Sequence, residues 1–337
     1  MTKYSIEASV QVSACEELWD LAKSSDNRVF IVNTGGVTAI IDATKEHKTE
    51  YVLHRACRAL HQLAFDEETC SSISDGGGIV TIIRAMKMYP VASELQNEAC
   101  AALAVLSKHT DNQVAIADAG GITAVLATMK MCKKADDMVQ MNACKALQHL
   151  AQNDKNRLSI AKAGGIMTII TAMQAHPAVP DVQVQACITL HEIAKDADNK
   201  AAIASSGGIV AIISAMQNHP GLAAVQANAC ATLWSLGYNK GNYDLIENVG
   251  GIVAIISAMK EYKAEPVVQE YACEALSNLA AKEENQAAIA DAGGITEIIT
   301  TMKEHETVAQ IQFTACGALW NLASNTDNQV SIARAGA

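Results

Sequence analysis

The stretch Ile311–Ala323, IQFTACGALWNLA, constrains this chain most, because it does not occur only once. Its grammar returns around Cys15, Cys57, Cys100, Cys144, Cys187, Cys230, Cys273 and Cys316, at spacings of 42, 43, 44, 43, 43, 43 and 43 residues. A period of this length marks a helical solenoid, in which each unit buries its apolar face against its neighbours. The 337 residues therefore need not divide into globular domains of ordinary size.

One unit reads as three helices. A short segment opens at Asn27, Asn112, Asn156, Asn199, Asn242, Asn285 and Asn328, with Thr69 replacing Asn once. Both residue types are helix N-caps, which is the role expected of them. A glycine pair such as Gly120-Gly121 or Gly293-Gly294 closes the segment, since glycine tolerates the left-handed turn past a helix end. These pairs follow no strand and lack the lysine of a phosphate-binding loop. A second helix follows, apolar at Ile295, Ile298, Ile299 and Met302 on one face. Pro90, Pro177 and Pro220 stand just beyond its end in their repeats.

The third helix carries the cysteine. At 100° per residue, the positions of Gln312, Ala315, Cys316, Leu319, Leu322 and Ala323 share the core side. Gln recurs on that side as Gln11, Gln96, Gln140, Gln183, Gln226, Gln269 and Gln312. A buried amide needs partners, so a structural bond to loop carbonyls is expected. The eight in-phase thiols lie on the order of 10 Å apart, too far to bridge or to share a metal. They are expected to be reduced and buried, which suits a cytoplasmic or nuclear setting.

Short helix, glycine turn, second helix, loop and long third helix at this spacing resemble the armadillo repeat. The sequence is also similar to the armadillo-like region of some leucine-rich-repeat kinases, although no kinase motif is present. The resemblance implies an all-α, right-handed superhelical solenoid with three helices per repeat. Residues 1–25 would form an orphan third helix. Seven repeats would then cover 26–67, 68–110, 111–154, 155–197, 198–240, 241–283 and 284–326, followed by a truncated one at 327–337. Met1 falls in the last turn of a missing second helix, and Ala337 where a second glycine belongs. The expectation is a fragment of a longer array, or an array that associates head to tail through uncapped ends. Val10, Leu18 and Leu21 are then expected to be partly unburied.

In armadillo proteins the third helices line a concave groove, which implies a non-catalytic scaffold for an extended peptide or partner protein. All three tryptophans, Trp19, Trp234 and Trp320, stand four residues after their cysteine, at the margin of the groove side. Tyr238, Tyr271, Phe313 and Phe65 fall there too, and exposed aromatics are enriched where partners dock. The bland reading is that each tryptophan packs sideways onto the next repeat. Importin-α-like members hold peptides with Asn five residues after the cysteine phase and Trp one residue after it. Here Asn278 and Asn321 match the first, where His149 and Glu192 stand elsewhere, and no Trp matches the second. Arg58 and His61, beside His54 and Arg55, add a local basic patch. The candidate groove set is thus Trp19, Arg58, His61, His149, Glu192, Trp234, Tyr238, Tyr271, Asn278, Phe313, Trp320 and Asn321.

Other classes fare worse. A net charge of −11 argues against a nucleic-acid footprint, and no apolar run is long enough to span a membrane. His47, His176, His219 and His305 share one loop phase in which Tyr89, Cys132 and Tyr262 substitute. A metal ligand would not interchange with tyrosine, so packing is expected. No base accompanies the off-phase Cys70, and neither an enzyme activity nor a cofactor is expected. The alternative to a binding scaffold is a structural, self-associating segment of a larger protein, such as one fused to a kinase or other signalling domain.

Overall fold

The computed structural model describes residue 1, residues 6–132 and residues 136–336; Ala337 lies outside them. The regular elements of the described residues are all helices, with no strand. They form two compact units, Met1–Thr168 and Ile169–Ala337, whose boundary falls inside the second helix Gly165–Ala175. Each unit is a stack of three-helix repeats. The first helices begin at Ser25, Glu67, Thr110, Asp154, Ala197, Lys240, Glu283 and Thr326. No single helix among the described residues is long and apolar enough to cross a membrane.

The last complete repeat shows why these residues fold so. Glu283–Asp291 forms the first helix, with Glu283 and Glu284 placed favourably at the positive end of its dipole. It stops because Gly293 turns to φ +87°, a left-handed conformation that a side chain would strain. At the next residue the limit is space: a Cβ on Gly294 would lie 2.5 Å from Ile289 Cγ2 and 2.8 Å from its carbonyl oxygen. First and second helices can therefore meet sharply, at 73° in the repeat beginning at Thr110 and at 68° in the one beginning at Ala197. The second helix, Gly294–Glu304, then buries Ile295, Ile298 and Ile299. Each such side chain contributes roughly 1.5–3 kcal/mol of hydrophobic stabilisation.

The third helix, Ala309–Leu322, adds Ala315, Ala318, Leu319 and Leu322 to the same core. The recurring glutamine ties it to the second helix. Gln269 Nε2 donates to the carbonyls of Met259 and Tyr262, at 2.9 and 2.8 Å. Gln96, Gln183, Gln226 and Gln312 do the same in their repeats, within 2.8–3.0 Å. The accepting carbonyls stand at the second helix's C-terminus, beyond the reach of its own i+4 bonds, and the later of the two also takes a loop N–H, as Tyr262 O does from Glu265. Even Gln11 keeps to the pattern, donating to Met1 O at 3.1 Å.

Further side chains bond across repeats to the backbone. His219 Nε2 donates to Pro177 O at 2.8 Å and His305 Nε2 to Lys263 O at 2.7 Å. Tyr89 and Tyr262 reach the equivalent carbonyls, Lys48 O and Pro220 O, with their hydroxyls, at 2.8 and 2.9 Å. The interchange of histidine and tyrosine follows from this shared acceptor.

Two expectations need correction. The recurring asparagines do not cap with their side chains: they stand inside the first helix, except Asn242, which precedes Tyr243–Asn248 without a side-chain cap bond. Asn112, Asn199 and Asn285 donate through Nδ2 to Leu106 O, Ile193 O and Leu279 O, the end of the preceding third helix, at 3.0–3.1 Å. Thr69 reaches the same kind of carbonyl, Leu63 O, with its hydroxyl. Caps lie three residues earlier, where Asn153, Asp196 and Asn325 accept backbone N–H groups. Secondly, Cys316 is exposed although the other seven in-phase thiols are buried. Its core face has no following third helix against it. Burial pushes the Cys57, Cys187, Cys230 and Cys273 thiols up to about 12, so they stay protonated at neutral pH. Leu21 is half exposed, and Val10 and Leu18 are partly so, as expected for the first third helix.

Replacing Gln269 with leucine should take the amide donor from Met259 O and leave Tyr262 O with Glu265 N alone. The expected cost is about 1–3 kcal/mol of unfolding free energy, read by urea denaturation. An unchanged midpoint would show that the amide bonds do not hold the repeat.

Candidate protein-interaction face

The third helices are named here by their cysteines. In Met1–Thr168 they are Ala8–Leu21 (Cys15), Glu50–Leu63 (Cys57), Ser93–Leu106 (Cys100) and Asp137–Leu150 (Cys144). Arg58, on the Cys57 helix, lays its guanidinium over the Trp19 ring at 3.6 Å, and Lys23 Nζ stands 4.3 Å from the same ring. Arg58 Nε is 3.8 Å from Glu98, whose other oxygen is 3.0 Å from His61 Nδ1. Arg55 pairs with Glu16 at 2.9 Å, and His54 lies 3.6 Å from Glu94. The basic patch read from the sequence is thus answered by carboxylates on the flanking third helices. Glu98 is its hub. It was not singled out from the sequence, although it occupies the same phase as Arg55 one repeat on.

Electrostatics follow the geometry. Burial pushes the Glu98 carboxyl up, but the His61 hydrogen bond and the His61, Arg58 and His54 charges outweigh it, leaving Glu98 below the usual carboxylate range. Burial, then Arg55, pushes His54 down despite Glu94 and Glu98. His149, farther along this unit, donates from Nδ1 to Ala104 O at 2.8 Å, so it joins adjacent third helices.

In Ile169–Ala337 the third helices are Pro180–Ile193 (Cys187), Ala223–Leu236 (Cys230), Pro266–Leu279 (Cys273) and Ala309–Leu322 (Cys316). Trp234 sits among His191, Tyr238 and Tyr271, with ring centroids 6.0, 5.7 and 6.0 Å away. Of the aromatics on this side, Tyr238 and Tyr271 thus meet Trp234 while Phe313 and Trp320 make no ring contact with it among the described residues, and Trp234 and Trp19 both pack sideways. Trp320 does not: it is 80% exposed, Phe313 on the same helix is 76% exposed, and Tyr238 is 62% exposed. Asn278 and Asn321 use Nδ2 within the stack, donating to Trp234 O at 3.1 Å and Ser277 O at 2.9 Å. Glu192 pairs with Lys195 at 2.7 Å. The twelve candidates thus divide between the two units. Charged groups cluster in the first and aromatics in the second, a division that phase alone does not reveal.

Repeats of three helices, a left-handed glycine between the first two and a third-helix face free of the core together define an armadillo-repeat protein. Residues 58–238 match the family model described as the LRRK2 ARM repeat, and the chain belongs to that family. A second model, for the C-terminal domain of zer-1 homolog-like proteins, matches residues 171–332. No catalytic family is indicated by either. No curated protein matches the chain. Among solved structures, an engineered protein is similar at 24% identity, with 98% of this chain and 89% of that one covered and a TM-score of 0.72. A structure from work on a phosphorylation switch controlling the interaction between cadherin and β-catenin is similar at 17% identity and a TM-score of 0.77. It is covered over 65% of its length by 92% of this chain. A designed armadillo repeat protein in complex with the peptide (KR)4 is similar at 19% identity, covering 66% of this chain and 92% of its own, with a TM-score of 0.58.

Because the Glu98 carboxyl is held low in the fold, its contribution to stability is complete above the ordinary carboxylate range. It is lost as pH falls through the lower folded value. Glu98→Gln should therefore flatten the acid side of the stability curve, measured by thermal melts between neutral and acid pH. An unaltered acid slope would remove Glu98 from this role.

Proposed function

We propose that the chain is a non-catalytic scaffold that holds an extended segment of a partner protein along its third helices. The observation that carries this is the exposure of Phe313 and Trp320, two large apolar side chains on one helix face. Leaving such surface in water is unfavourable unless a partner covers it, and aromatic residues dominate binding energy at interfaces. The cadherin and (KR)4 connections of the structural neighbours belong to those proteins, and they support the mode rather than the specificity. The ten cysteines, nine of them buried, support a reducing compartment, with the cytoplasm first.

Selection of a displayed random-peptide library on the protein tests this reading. Selected peptides should lose at least about tenfold in affinity to a Phe313→Ala/Trp320→Ala variant whose circular dichroism is unchanged. Selection that yields no binder, or binders indifferent to both changes, would overturn it.

A second reading has its own observation. An open hollow of about 800 Å³ in the first unit is lined by Ala14, Leu18, Leu21, Phe30 and Ile31, with Phe30 68% exposed. A further repeat, from another copy or another part of a longer protein, would fill it. Sedimentation decides: concentration-dependent association abolished by Phe30→Asp supports stacking, and a monomer at all concentrations removes self-association.

A further inference from the structure

The two units treat charge on their third helices differently. In the first unit, arginines and histidines meet carboxylates. In the second unit the four third helices carry Asp181, Glu192, Glu270 and Glu274 and not one lysine or arginine. Lys195 answers Glu192, but Glu270 and Glu274 form no ion pair among the described residues. One helical turn apart, they share a face and repel.

Glu274 is the sharper case. Its Oε2 is buried and has no hydrogen-bond partner, while Gln310 bonds to the carboxylate. Burial first, then the Glu270 charge, pushes its carboxyl above the usual range, with Gln310 opposing. A buried carboxylate oxygen without a donor is costly, and a cation beside it would reverse that cost.

The neighbouring helix leaves room for one. Gly317 holds the same register as Glu274, one repeat later, on the third helix packed against it. A Cβ built there would meet only Ser277 Oγ, at 3.6 Å, so the face is open at this point. Phe313, four residues before, and Trp320, three residues after, lie on the same helix face and flank the opening with exposed rings. An aromatic rim over an unpaired carboxylate suits a cation that is also planar and apolar on its faces.

We propose that the opening at Gly317, between Phe313 and Trp320 and beside Glu274, receives an arginine side chain from an extended partner peptide. This rests on the scaffold reading and adds the partner's chemistry to it. The guanidinium would donate to Glu274, Glu270 would add attraction, and the rings would cover the aliphatic stem. An acidic peptide would meet two uncompensated carboxylates and be rejected.

The probe is a fluorescein-labelled decapeptide of alternating arginine and alanine, with citrulline and glutamate counterparts, followed by anisotropy at physiological salt. The arginine peptide should bind, and both counterparts should not. Glu274→Gln and Trp320→Ala should each weaken binding at least about tenfold. Gly317→Leu, whose Cβ would meet only Ser277 Oγ at 3.6 Å, should do the same with helical content intact, whereas Lys145→Ala in the first unit should change nothing. No binding by the unaltered protein would overturn the inference. So would arginine binding indifferent to Glu274→Gln and Gly317→Leu, which would reduce it to diffuse attraction towards a chain of charge −11. Library-selected peptides that need Phe313 and Trp320 yet contain no arginine would leave the scaffold reading standing and remove this inference alone.

Discussion

A helix that ends inside a protein leaves carbonyl oxygens with nothing to accept, and an array of short helices multiplies that problem in every repeat. The buried glutamine of the third helix answers it. Its amide nitrogen serves two carbonyls at the end of the second helix, as Gln183 does for Met173 and His176. In two repeats its oxygen is used as well: Thr128 donates to Gln96 and Thr301 to Gln269, each from the second helix of the following repeat. One side chain thereby closes a helix, fixes the loop between two helices and reaches the next unit. The left-handed glycine, the isoleucine beneath it and the aliphatic core all presuppose helices held in that relation.

Much of this was legible in the sequence because a repeating chain acts as its own control. Positions under structural constraint keep their phase, so Gly293, Ile298, Cys273 and Gln269 could be placed from spacing alone. The glutamine's role followed from a simple requirement that a buried amide be satisfied. The asparagines misled for an instructive reason. A residue type that recurs near a helix start looks like a cap, yet caps sit on the surface, where Asn153, Asp196, Ser24 and His109 interchange freely. What keeps phase is the inward amide, whose acceptor lies on a different helix six residues back.

The interaction face was less legible, because its positions are those the repeat does not constrain. Helical phase placed Trp19, Trp234 and Trp320 together as equals. The structure separates them by neighbours that phase cannot supply: a guanidinium over Trp19, three rings around Trp234, open solvent at Trp320. Likewise Glu98 and Glu274 are single carboxylates on free faces in the sequence. One lies against His61 and Arg58 and the other against nothing of opposite sign, a difference created by cross-repeat packing.

Many of the bonds between repeats end on backbone oxygens: His305 on Lys263, Asn328 on Gln286, Asn321 on Ser277. A carbonyl is the same whatever side chain its residue bears. At those positions each repeat grips its neighbour without reading the neighbour's identity, and a mutation of the accepting residue requires no matching change on the other side. Recombination between repeats, or drift within one, can then rewrite the third-helix surface a position at a time while the stack stays joined.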